Sequence, residues 1–263
     1  SWVKNSRPDL VVKTAESLVR DGPTDTWMRR EYAWALAKTG CVKEGLAEAA
    51  ECARIEPDDA WNIQLVGFIQ EDFGDPALAS DCFRKALAVD PDCDTSLRGL
   101  WRLAGNDVER RGVLEFAKLQ ITTRKTRGSS IFTFYDLASG FLPDADLMEF
   151  LQDRKVKSPE VFNAWSCIVR EKLRLGDSSG AMDDARKAVE QFPLVPRSWL
   201  DLSHACHACG DAQGELSAAR RAVEINPAWD EGVRELVFLL GAAIWTRRRK
   251  RLRLGPQRSP PER

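Results

Sequence analysis

The stretch from Ala60 to Pro91, AWNIQLVGFIQEDFGDPALASDCFRKALAVDP, decides the fold. Gly74-Asp75 sits near its middle and Pro91 closes it. Working outward, the same marks return every 34 residues. Pro23, Pro57 and Pro91 keep that spacing, and so do Pro159, Pro193 and Pro227, with two periods between the two sets. The one missing tooth of the comb is Lys125. Gly40, Gly74, Gly176 and Gly210 form a second comb, each 17 residues before a comb proline. Trp27 and Trp61, then Trp165 and Trp199, form a third. A fixed period of this length marks a stack of small structural repeats.

Each recurring residue has a physical reason. Glycine at the middle of the period supplies the left-handed conformation that ends a first helix. The aspartate beside it caps a second helix. Ala79, Ala86 and Gly67 are small enough for two helices to approach closely, and Phe83 fills the space between them. Proline stops the second helix, because it cannot continue the hydrogen-bond ladder. A helix pair cannot bury its apolar face alone, whereas stacked pairs share a continuous core.

The marks resemble the tetratricopeptide repeat (TPR). With the proline at position 32, repeats start at Thr26, Ala60, Asp94, Gly128, Phe162, Pro196 and Asp230. The resemblance covers roughly residues 8–240. It implies an all-α, right-handed superhelical solenoid of antiparallel helix pairs. Residues 1–25 read as a truncated first repeat that keeps only its second helix, and 26–241 as the solenoid. Repeats over 94–161 are degenerate. The first of these lacks the comb glycine and ends in the polar run Thr122-Thr123-Arg124-Lys125-Thr126-Arg127-Gly128-Ser129-Ser130. That region reads either as helix pairs with altered loops or as a bend or specialised surface.

Composition bounds the function. The 263 residues are 43% hydrophobic and 30% charged, which is globular. No apolar run approaches the roughly 20 residues that a membrane-spanning helix needs. The net charge of −1 hides an asymmetry, since 242–263 hold eight basic residues and one acid. The remaining 241 residues carry a net −8. This basic tail reads in three ways: as an unstructured end, as a segment out of reading frame, or as a surface for nucleic acid or anionic lipid. The out-of-frame reading rests on Ala243–Arg249, whose shifted text, Gly-Asp-Leu-Asp-Glu-Ala-Glu, resembles the start of a second helix. Seven cysteines at irregular spacing suit free thiols in a reducing cytoplasm, the expected compartment.

Catalytic motifs are missing. There is no phosphate-binding glycine loop, nucleophile elbow or zinc-protease helix. Ser203-His204-Ala205-Cys206-His207-Ala208-Cys209 holds both histidines and a Cys-x-x-Cys pair. A metal needs about four convergent ligands. On one helix the histidines share a face that the cysteines do not, so core thiols and solvated histidines are expected, with no metal and no cofactor.

In the family, certain first-helix positions line the concave face. The resemblance therefore implies a peptide-binding set: Trp27, Arg30, Trp34, Trp61, Phe68, Arg98, Arg102, Arg170, Arg174, Arg197 and His204. Trp27 and Trp61 also read as displaced packing residues. The chaperone carboxylate clamp and the asparagine ladder of the sugar-transferase superhelix are both absent. The expected function is a non-catalytic interaction scaffold that binds a peptide segment of a partner protein. The alternative is a regulatory or substrate-recruiting arm of a larger enzyme. No membrane partner is expected, and nucleic acid only through the basic tail.

Overall fold

The computed structural model describes residues 7–22 and 25–253, with side chains described as far as Gly241. Pro23, residues 1–6 and residues 254–263 lie outside the described residues, as do the side chains of the basic run 247–253.

Among the described residues every regular element is an α-helix. In chain order they are α1 (Pro8–Asp21), α2 (Thr26–Lys38), α3 (Val42–Ile55), α4 (Ala60–Phe73), α5 (Pro76–Val89), α6 (Asp94–Leu103) and α7 (Asp107–Thr123). They continue as α8 (Ser129–Ala138), α9 (Asp144–Lys157), α10 (Phe162–Arg174), α11 (Ser178–Gln191), α12 (Pro196–Ala208), α13 (Ala212–Ile225) and α14 (Asp230–Arg253). Even-numbered helices from α2 onward are the first helices of the repeats. Six of the seven begin on the expected repeat start, and α8 begins one residue after Gly128.

The marks act as their chemistry requires, with one exception. Gly40, Gly176 and Gly210 have φ of 93°, 81° and 74°, in the left-handed region. Gly74 does not, with φ −135°. A Cβ there would meet the end of the Gln70 side chain, Oε1 at 2.1 Å. The aspartates cap: Asp75, Asp177 and Asp211 accept from the backbone N–H groups of Ala77, Gly180 and Gly214 at 2.8, 2.9 and 2.9 Å. Helices α3, α5, α9, α11 and α13 all end two residues before a comb proline.

Two compact units divide within α9, at Leu147 and Met148. In the first, consecutive helices from α1 to α8 pack in turn, and first helices also touch one another, α2 on α4 and α6 on α8. Ala33, Ala37, Ala49 and Ile69 are fully buried in one cluster. Phe83 is fully buried between α4 and α6. A Cβ on Gly67 would meet its ring at 2.7 Å, and one on Gly99 would meet the opposite edge at 2.6 Å. In the second unit α10 to α14 pack in turn, with α10 on α12 and α12 on α14.

The degenerate repeats each keep two helices, with shortened first helices. Helices α6 and α8 have 10 residues, against 13 or 14 in α2, α4, α10 and α12. The missing proline at Lys125 is replaced by a polar dock. The buried Asp92 carboxylate accepts from Thr126 Oγ1 at 2.6 Å, from Ser130 N at 3.1 Å and Oγ at 3.0 Å, and from the Arg127 backbone N–H. Helix α14 continues past the boundary expected at 241, as helical backbone to Arg253.

Candidate interaction face of the first helices

Positions two, five, nine and thirteen of a first helix fall at three- and four-residue steps, so they share one face. On α2 these are Trp27, Arg30, Trp34 and Lys38. On α4 the stripe is Trp61, Gln64, Phe68 and Asp72. Lys38 Nζ donates to Asp72 Oδ2 at 2.8 Å, thirteenth position to thirteenth. Arg30 Nη1 reaches Asn62 Oδ1 at 3.0 Å and pairs with Asp59 at 2.8 Å. The two stripes therefore lie side by side and in register.

Most of the expected arginines are engaged inside the protein. Arg102 grips Glu71 with two bonds of 3.0 and 2.8 Å. Arg98 pairs with Asp136 at 3.2 Å. Arg174 holds the fully buried Glu171 at 2.9 and 2.6 Å. Arg197 bridges Asp201 at 3.1 Å and Glu231 at 2.6 Å. Arg170 is half-buried and near enough to Asp201 to lower its carboxyl. Most of these pairs join one repeat to the next. Sequence reasoning named the arginines without naming their carboxylates. The signal was partly available, because Asp72 and Glu231 stand one period after Lys38 and Arg197.

The aromatics divide into two kinds. Trp34 is half-buried under Lys38, whose Nζ sits 4.6 Å from the ring centroid. Phe68 packs edge-on against Phe83 at 5.2 Å. Trp27 and Trp61 remain 53% and 63% exposed. Among the described residues, neither indole N–H has an acceptor and neither ring lies against another ring or a cation. Trp165 and Trp199 differ: their Nε1 groups donate to the Pro159 and Pro193 carbonyls at 3.1 and 2.9 Å. The aromatic missed from sequence is Phe73, at the end of α4 and 40% exposed, with Lys38 Nζ 4.9 Å from its ring.

In the second unit, burial pushes the Asp201 carboxyl up to about 6, against the opposing pull of Arg197. His204 is half-buried, and burial lowers its imidazole. Cys206 is packed in the core beside Met182 and Ala205, while Cys209 is exposed. His207 Nδ1 is 2.9 Å from Glu215 Oε1. Among the described residues no three metal-ligating side chains converge, and no helix is long and apolar enough to cross a membrane.

Helix pairs of 34-residue period, with glycine turns, aspartate caps and proline stops, define a tetratricopeptide-type repeat fold. No family model and no curated protein matches the chain. Among solved structures, the chain is similar to PilW, a type IV pilus biogenesis factor. Identity is 16% over 82% of this chain and 98% of that one, with a TM-score of 0.49. Cut9–Hcn1 of the APC/C matches at 10% identity over 89% of this chain and 46% of that one, with a TM-score of 0.47. A tetratricopeptide repeat protein from Parabacteroides merdae matches at 8% over 91% and 94%, with a TM-score of 0.45.

Proposed function

We propose that this chain is a non-catalytic scaffold that takes a peptide segment of a partner protein across the α2–α4 face. The observation that carries this is the pair of exposed indoles, Trp27 and Trp61, at the same position of two adjacent first helices. Exposed tryptophan is costly to leave in water and is enriched among residues that dominate binding energy. Trp34, Phe68 and Phe73 supply an apolar floor around them. Arg30, Arg98, Arg102, Arg174 and Arg197 act as register pins between or within repeats. A ligand carboxylate reaching them has to displace an internal one. Arg170 and His204 lie in the second unit, on α10 and α12.

The test is selection of a displayed random peptide library on the whole chain. Selected peptides should lose about tenfold or more in affinity on Trp27→Ala or Trp61→Ala. Val108→Ala is the control, an 80% exposed apolar residue on the second helix α7. Binding that ignores both tryptophans and falls with Val108→Ala overturns the assignment.

A further inference from the structure

We infer that a cleft of the first unit, lined by Asp58, Ile63, Lys85, Ala88, Val89 and Arg124, is a socket for a tryptophan side chain of a partner protein. Its volume is about 660 Å³. It shares no residue with the expected peptide-binding set, so it stands or falls apart from that reading.

The repeats of the second unit show what fits there. Trp165 and Trp199 are the fourth residues of their repeats, and both are half-buried. Each indole Nε1 donates to the carbonyl of the comb proline six residues earlier, Pro159 at 3.1 Å and Pro193 at 2.9 Å. Each ring also lies against a cation. Lys155 Nζ is 4.0 Å from the Trp165 ring centroid, and Arg221 Cζ is 6.0 Å from that of Trp199.

Ile63 is the fourth residue of the repeat that starts at Ala60, and the same neighbours surround it in sequence. Pro57 stands six residues before it, as Pro193 stands before Trp199. Lys85 stands 22 residues after it, as Arg221 stands after Trp199. The proline and the cation of the indole site are thus both kept, while the ring between them is replaced by a smaller branched side chain. A smaller residue does not by itself open a cleft. Leu97 and Ile131 hold the fourth position in the degenerate repeats and are fully buried, whereas Ile63 is half-buried and lines the cleft.

The lining suits an indole in three ways. Ile63, Ala88 and Val89 give an apolar floor. Lys85 and Arg124 bring two cations, and the tryptophan face is the ring surface that attracts a cation best. The Pro57 carbonyl is the periodic counterpart of the two that accept from Trp165 and Trp199, so it matches the indole N–H. Asp58 offers a further acceptor to the backbone N–H groups beside that side chain. The volume falls within the roughly 300–1,000 Å³ of clefts that bind small ligands.

The experiment titrates N-acetyl-tryptophanamide into the whole chain and follows the methyl signals of Ile63, Ala88 and Val89 by NMR, with N-acetyl-leucinamide as control. The expected result is saturable shifts at those methyls with a Kd of about 1 mM or tighter, and clearly weaker binding of the leucine compound. Lys85→Met, a change at an exposed side chain, should weaken binding about two- to fivefold through the lost cation–ring contact. Ile63→Trp supplies the ring from within. It should abolish the shifts at Ala88 and Val89 and keep the unfolding temperature at or above that of the parent. Trp27→Ala and Trp61→Ala should leave the titration unchanged, which separates this socket from the α2–α4 face. Three results overturn the proposal: no shifts at the three methyls, equal binding of the leucine compound, or undiminished binding to folded Ile63→Trp. A lower unfolding temperature for Ile63→Trp also counts against it, because the cleft then does not fit an indole.

Discussion

Phe83 shows how tightly a single residue is specified. Gly67 touches one edge of its ring and Gly99 the other, so the ring cannot retreat from a new methyl on either side. Gly67→Ala and Gly99→Ala should each destabilise by about 1–3 kcal/mol through overpacking, measured by urea unfolding. Gly112→Ala, in α7 with open space around it, should instead stabilise by about 0.5–1 kcal/mol. Gly67 was legible as a close-approach residue because it stands at a small-residue position of the resembled repeat. Gly99 was not, since its need for smallness comes from a side chain 16 residues earlier on another helix. Asp201 is a second case. Its folded carboxyl titrates at about 6, against about 3.9 in the unfolded chain. A raised carboxylate adds stability below the unfolded value, and that stability is lost as pH rises through about 6. Relative to Asp201→Asn, the parent chain should therefore gain on the order of 1–3 kcal/mol between pH ~7.5 and ~4. Parallel pH profiles for the two proteins would remove this role from Asp201.

At the scale of elements, the loop between α7 and α8 explains how a repeat survives without its proline. Helix α7 still stops two residues before position 125, and Asp92 then gathers the following turn. Burial pushes the Asp92 carboxyl up, but hydrogen bonds from Thr126, Ser130 and Arg127 outweigh it and hold the group below the ordinary range. Its contribution is present above the unfolded value of about 3.9 and is lost as pH falls through the lower folded value. Asp92→Ala orphans several buried donors and should cost roughly 2–4 kcal/mol at pH ~7, a gap that closes below pH ~4. Urea unfolding of both proteins across that range checks it. This dock was invisible in the sequence because its partners lie 34 to 38 residues away and come from an irregular turn. The arginine pairs were hidden for a related reason. Lys38–Asp72 and Arg197–Glu231 keep the period of 34, but Arg102–Glu71 spans 31 and Arg98–Asp136 spans 38. A fixed offset finds the first two and misses the others. Helix starts were legible because caps and prolines act locally; partners across repeats depend on how the helices are set side by side.

For the whole molecule, the repeats divide their labour between holding register and presenting surface. Carboxylates neutralise most of the arginines of the expected peptide-binding set, while Trp27 and Trp61 have no partner among the described residues. The candidate face was therefore legible in outline. Which of its side chains remain free was not, because freedom depends on every other residue nearby. The most direct measurement is an amide and indole N–H correlation spectrum of the whole chain, recorded with and without a library-selected peptide. The indole signals of Trp27 and Trp61 should shift on binding. Those of Trp165 and Trp199, whose N–H groups are tied to the Pro159 and Pro193 carbonyls, should stay in place. If the signals of Trp27 and Trp61 do not move while the peptide is bound, the α2–α4 face is not where this protein meets its partner.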